Sequence, residues 1–121
     1  LYVSDPKYNV DMFLGIGVGP EGVLAACALD SYNCHFQGRF IFDNAKDIDE
    51  ARSMGIMDLN KKYELKEIVK GDSIFCATGI TGSDVLKGIK LDNNKYHSQT
   101  LVTHKSTNCR KVINSVTSIN E

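Results

Sequence analysis

No stretch of this sequence is apolar for long enough to cross a membrane, neither sign of charge dominates, and no two cysteines form a C-x-x-C pair. The first absence disfavours a membrane-spanning helix. Fourteen Lys+Arg against fifteen Asp+Glu give a formal net charge of −1 at pH 7. That balance supplies no broad field for gathering nucleic acid or an acidic membrane surface, so neither partner is expected and any anion site must be local. Cys27, Cys34, Cys76 and Cys109 are too few and too scattered for a small disulfide scaffold, which points to a reducing compartment, the cytoplasm. Internal repeats, low-complexity tracts and linkers are also missing. Ahead of LYVSDPKYN there is neither a methionine nor a basic-then-apolar leader, and the start reads as the cut edge of a longer protein.

What is present is the composition of a folded domain: 121 residues, 42% hydrophobic and 24% charged. A chain of this size holds one core, so a single α/β domain over residues 1–121 is expected. VDMFLGIG, Val10 to Gly17, reads as a short apolar strand, and Pro20 to Tyr32 as the helix after it. Proline suits a first helical turn, and the unbroken apolar run Val23 to Leu29 predicts a helix buried all round. Phe36, Gly38, Phe40 and Phe42 alternate with His35, Gln37, Arg39 and Ile41, the period of two expected of a strand.

Asp47 with Glu50 suggests a helix start, with Ile48, Ala51 and Met54 on one face and Gly55 as the stop. A short third helix is predicted around Leu65, Ile68 and Val69, ending at Gly71, then a buried strand SIFCA from Ser73 to Ala77. Cys27 and Cys76 lie in apolar runs and are expected to be packing residues. Ser98 to His104 and Arg110 to Val116 read as an antiparallel hairpin turning at Ser106 to Asn108. The N-terminal part is βαβ-like and the C-terminal part is not. The fold class expected is therefore α/β, a mixed β-sheet flanked by helices.

The stretch with most chemical content is GIGVGPEG, Gly15 to Gly22, between the expected strand and helix. Glycines let backbone approach a ligand, and a helix N-terminus offers unpaired N–H groups and a partial positive charge to an oxyanion. Gly17, Gly19 and Gly22 also satisfy G-x-G-x-x-G, with Asp43 near the place of a ribose-binding acid, so a non-catalytic dinucleotide-binding or structural domain is the competing reading. Glu21 opposes it, because a carboxylate in that first turn would repel a pyrophosphate. A divalent cation between Glu21 and a phosphate oxygen removes the conflict, hard oxygen ligands being those that Mg²⁺ or Mn²⁺ select.

Elsewhere the chemistry is thinner. His35, His97 and His104 are isolated in sequence, with no metal-spaced pair and no nucleophile–base pair. Thr81, Gly82, Ser83 and Asp84 read as a structural loop, and Lys105, Arg110 and Lys111 as a solvated end.

In order, GIGVGPEGVLAACAL, ARSMGIMDLNK, IFCATGITGSDVLKGI and SQTLVTHKSTNCRKV resemble class II fructose-1,6-bisphosphatase, over nearly the whole chain. The family comprises metal-dependent, lithium-sensitive sugar phosphatases of layered αβ architecture, and the resemblance places this chain in about the last third, the C-terminal half of the layered fold. It implies hydrolysis of the 1-phosphate of fructose 1,6-bisphosphate, a step of gluconeogenesis, with Mn²⁺ (or Mg²⁺) as cofactor. Some members also hydrolyse sedoheptulose 1,7-bisphosphate. The family's late metal-ligand glutamate matches Glu21, and its substrate-contacting loop matches Gly17, Val18 and Gly19, with valine where the family usually has a small residue. No catalytic acid, base or nucleophile carries over. The remaining acidic ligands and phosphate-holding groups belong to the N-terminal portion, so the N-terminal remainder of the same protein is the implied partner, the isolated chain is expected to be inactive, and assembly into a homo-oligomer is compatible with the resemblance.

Overall fold

The computed structural model describes residues 1–119. Two 3-10 turns, Tyr2–Ser4 and Pro6–Tyr8, open the chain. Residues 9–18 then run without regular structure into helix α1, Gly19–Ser31. A two-stranded ribbon follows, β1 (Gln37–Gly38) paired antiparallel with β2 (Tyr63–Glu64), with helix α2 (Ala45–Ser53) between them. Helix α3 (Leu65–Ile68) leads to the main sheet.

That sheet has β5 (Lys95–His104) at its centre. β6 (Cys109–Ser118) pairs along the whole of β5, from Lys95↔Ser118 to His104↔Cys109. On the other side of β5, β3 (Ile74–Thr78) and β4 (Lys90–Asp92) lie end to end, β3 against the last residues of β5 and β4 against the first. All these pairings are antiparallel. The fold is α/β with helices flanking its sheets, as expected; the βαβ unit expected at its start does not form. Val10 to Gly17 has the composition of a strand but no neighbouring strand to complete a ladder, and its side chains are exposed: Phe13 79%, Leu14 81%, Ile16 87%.

The core is small and sits where the second half of α1 meets β3, β5 and α3. Ala26, Ala28, Leu65, Leu101 and Thr103 are buried there. Contrary to the sequence pattern, α1 is not buried all round: Val23 and Leu24, in its first half, are 48% and 56% exposed. An apolar run permits burial but does not supply the surface to pack against. For the same reason Cys76 is exposed and β3 alternates between exposed and half-buried residues instead of being buried throughout, although Cys27 is half-buried.

The C-terminal end of α1 is docked on the β5–β6 hairpin by polar contacts. Thr103 Oγ1 donates to Ser31 Oγ at 3.0 Å, and the Lys105 ammonium pairs with the buried Asp30 carboxylate. Arg110 donates from Nε and Nη2 to the Ser31 carbonyl at 3.1 and 2.8 Å, with its guanidinium 4.6 Å from the Tyr32 ring centroid. Two residues expected to form a solvated end are thus structural, because the fold brings Arg110 to an orphan carbonyl of the helix terminus and Lys105 to the buried Asp30 carboxylate.

Between the collinear β3 and β4, residues 79–89 leave the sheet in a tight loop. Ser83 Oγ accepts the N–H groups of Val85 and Leu86 at 3.2 and 3.1 Å, Leu86 is buried beneath it, and Tyr8 Oη donates to the Asp84 carbonyl at 3.1 Å. The loop closes so tightly that a Cβ on Gly88 would lie 2.6 Å from the Gly82 nitrogen, and one on Gly79 would collide with the Lys87 carbonyl. The structural role expected for Thr81 to Asp84 is realised here.

Candidate functional site

The start of α1 is shaped by Val18. It is the N-cap, in ordinary extended backbone (φ −78°, ψ 162°), and its carbonyl accepts the Gly22 N–H at 3.2 Å. Valine has no side-chain oxygen, so no side chain caps the helix. Among the described residues the N–H groups of Gly17, Val18, Gly19 and Glu21 have no hydrogen-bond partner, and Pro20 has none to offer. Four backbone donors therefore surround the positive end of a 13-residue helix.

Glu21 stands in the first turn of α1, exposed and without a cationic partner among the described residues. Its carboxylate can accept a hard cation while the adjacent donors take an oxyanion. The fit to a divalent metal is that of one ligand: no cluster of three or more His, Cys, Asp or Glu side chains exists among the described residues. Acidic groups from beyond the described residues would have to complete such a centre.

The glycines here are not explained by the chain's own conformation or packing. None of Gly17, Gly19 and Gly22 has positive φ, and a Cβ on any of them would meet nothing within 4 Å. By contrast, the positive φ values of Gly55 (87°) and Gly71 (94°) account for glycine after α2 and α3. The space at the α1 loop is that of a cradle open to a ligand or to a covering surface.

The structure does not give the competing dinucleotide reading its frame. That fold needs a strand before the helix and a parallel strand after it. Residues 9–18 form no strand, and β1 pairs only with β2, antiparallel. Asp43 is exposed in the connection ahead of α2.

One constellation that the spacing of the histidines did not reveal lies at the β5–β6 turn. His104 Nε2 is 2.6 Å from Asp72 Oδ2 and 3.0 Å from Ser106 Oγ, and its Nδ1 is 2.8 Å from Thr107 Oγ1. Ser106 Oγ also donates to Asp72 Oδ2 at 2.7 Å. Serine, histidine and aspartate meet, but carboxylate and hydroxyl share one ring nitrogen. A relay that activates a serine needs them on opposite nitrogens. The cluster is a clasp that fastens the hairpin turn to the chain entering β3. The Asp72 carboxyl is held below its ordinary value, first by the Ser106 hydroxyl and then by His104.

Free backbone donors beside an unpartnered glutamate at the head of α1 could receive an oxyanion and a hard cation side by side. Residues 1–117 match the family model described as bacterial fructose-1,6-bisphosphatase, glpX-encoded, and the chain belongs to that family. Curated relatives named D-fructose 1,6-bisphosphatase class 2/sedoheptulose 1,7-bisphosphatase are 29% identical in Nostoc sp. (strain PCC 7120) and 31% identical in Synechococcus sp. (strain JA-3-3Ab). Each alignment covers 89% of this chain and 35% of the relative, so the chain spans about a third of the length of the proteins it matches.

Proposed function

We propose that this chain is the C-terminal part of an enzyme that hydrolyses the 1-phosphate ester of fructose 1,6-bisphosphate, giving fructose 6-phosphate and inorganic phosphate in gluconeogenic sugar-phosphate metabolism. The observation that carries the reading is Glu21, exposed in the first turn of α1 beside unpaired N–H groups, in a chain that belongs to the family over residues 1–117.

In this reading Glu21 contributes one carboxylate ligand to a Mn²⁺ or Mg²⁺ centre whose other acidic ligands come from the N-terminal remainder of the protein. A divalent cation bound there supplies charge neutralisation and a more acidic water. The chain's own donors act on the phosphoryl group. The N–H groups of Gly17, Val18 and Gly19 hold its oxygens, and the helix dipole favours the negative charge they carry. Valine at position 18 does not obstruct this, because its backbone lies in a region open to all residues and the donor is the N–H. Water adds to phosphorus, the P–O bond to C1 breaks, and the sugar hydroxyl leaves with a proton.

The exposed apolar residues Met12, Phe13, Leu14, Ile16 and Val18 lead directly into α1. Their exposure supports burial against the N-terminal remainder, which would place the cradle at the junction of the two parts. The described residues contain no helix long and apolar enough to cross a membrane, and all four cysteines are free thiols; both fit a cytoplasmic enzyme.

The test is Mn²⁺-dependent phosphate release from fructose 1,6-bisphosphate by the whole protein and by the 121-residue chain under identical conditions. Turnover by the whole protein alone is the expected result. Turnover by neither would remove the activity, and turnover by the isolated chain would remove the shared site.

A further inference from the structure

An open groove lies on the main sheet, in a different part of the chain from the α1 cradle. It has a volume of about 430 Å³ and opens where the 79–89 loop leaves the sheet ahead of β4. Small-molecule sites begin at about 300 Å³, so the space is sufficient for a compact ligand.

The strand register explains how its lining is assembled. Lys90 on β4 is paired with His97 on β5, and His97 in turn with Val116 on β6. Gln99, two residues along β5 and therefore on the same face as His97, is paired with Asn114. Lys87 is brought in from the loop. Its backbone N–H donates to Gln99 Oε1 at 2.8 Å, while Gln99 Nε2 donates to Asn114 Oδ1 at 2.9 Å. The glutamine thus has both ends fixed and holds the loop at a set height over the sheet. Two ammonium groups and an imidazole line the groove, with Asp92 as the one acid among its lining residues. Lys87 and Lys90 form no salt bridge among the described residues.

We propose that this groove is a binding site for a small phosphate-bearing anion, with Lys87 and Lys90 supplying charge, His97 a ring donor and the Asn114 amide a neutral donor. The chemistry is that of a compact oxyanion: two lysines, a histidine and an asparagine line one groove, in a chain whose overall charge of −1 offers no broad field for a nucleic acid. A free phosphate ion and a phosphate monoester share it.

The experiment is a titration of the 121-residue chain with inorganic phosphate, and separately with methyl phosphate, at constant ionic strength in a metal-chelating buffer. It is followed by the imidazole NMR resonances of His97, with His35 and His104 as internal references. The chelator keeps any metal-mediated binding at Glu21 out of the measurement. A saturable shift of His97 alone is expected, weakened about a hundredfold or more in Lys87→Gln/Lys90→Gln, since two charge-assisted contacts are lost and each is worth about tenfold. Lys87→Arg/Lys90→Arg should retain binding, and so should the control Lys46→Gln/Lys66→Gln on α2 and α3. Preference for methyl phosphate over phosphate would identify a monoester as the ligand, and the reverse the free ion. A linear, unsaturated response, equal shifts at all three histidines, or undiminished binding in the Lys87→Gln/Lys90→Gln chain would overturn the proposal.

Discussion

Removing Arg110 should loosen α1 from the sheet by an amount that the geometry allows to be worked out. The Ser31 carbonyl is one of the last four in its helix and has no helical partner of its own; Arg110 gives it two N–H donors, at 3.1 and 2.8 Å. Hydrogen bonds from a charged group contribute about 1.5–3 kcal/mol. The guanidinium over Tyr32 adds about 0.5–1 kcal/mol at an exposed position. Arg110 is itself exposed, so water replaces part of what Arg110→Ala removes and the lower ends apply, about 2 kcal/mol together. For a chain of this length that lowers Tm by roughly 6–8 °C. Arg110→Lys keeps a charge but loses the planar fork, and should recover less than half of the loss. Thermal unfolding followed by far-UV circular dichroism gives the comparison. A Tm for Arg110→Ala within about 2 °C of the parent would refute the argument, because two charge-assisted bonds and a stacked ring cannot then be anchoring the helix.

Three further outcomes follow from other residues. Glu21→Gln should leave the stability of this chain within about 0.5 kcal/mol, since the residue is exposed and unpaired, while lowering turnover of the whole protein by orders of magnitude; near-normal turnover at saturating Mn²⁺ would remove Glu21 from the site. Val18→Ser should supply the missing cap by accepting the Glu21 N–H and stabilise α1 by about 1 kcal/mol, at the expense of activity in the whole protein, a trade that paired melting and turnover measurements would detect. Asp72 has its carboxyl held below its ordinary value of 3.8, so the folded state binds fewer protons there than the unfolded state. The clasp's contribution is complete above the ordinary value and disappears as pH falls through the lower folded one. Asp72→Asn should therefore melt below the parent at neutral pH and converge with it in strong acid; a constant gap at every pH would show that the carboxylate charge is not what matters.

The elements legible in the sequence were those with local causes. The hairpin of β5 and β6 was visible in its Thr- and Val-rich runs, and α1 in its proline and apolar content. α2 was found, although its N-cap is Asn44, whose Oδ1 accepts the Asp47 N–H at 3.0 Å, and not Asp47 itself. The alternation from Phe36 to Phe42 is borne out in burial at Phe36, Gly38 and Phe42, yet only Gln37–Gly38 finds a strand partner. β4 was missed although Asn93 and Asn94, with φ of 46° and 60°, form the kind of two-residue turn that marks a hairpin. The candidate site divides in the same way. Glu21 could be singled out from its position in a first turn, whereas the joining of Asp30 to Lys105 and of Asp72 to His104 depends on residues that the fold alone brings together.

The crowding inside the 79–89 loop sets a limit on how this chain can vary. At Gly79 and Gly88 the obstacle to a side chain is backbone, which cannot rotate aside, so a library randomised at those two positions should return glycine from any selection that asks only for folding. Gly17 and Gly19 would drift freely under that selection in a library randomised at their own positions, since their surroundings are open. If they return to glycine only when selection also demands turnover by the whole protein, the two pairs will have separated, within one short sequence, the residues that the fold requires from those that the chemistry requires.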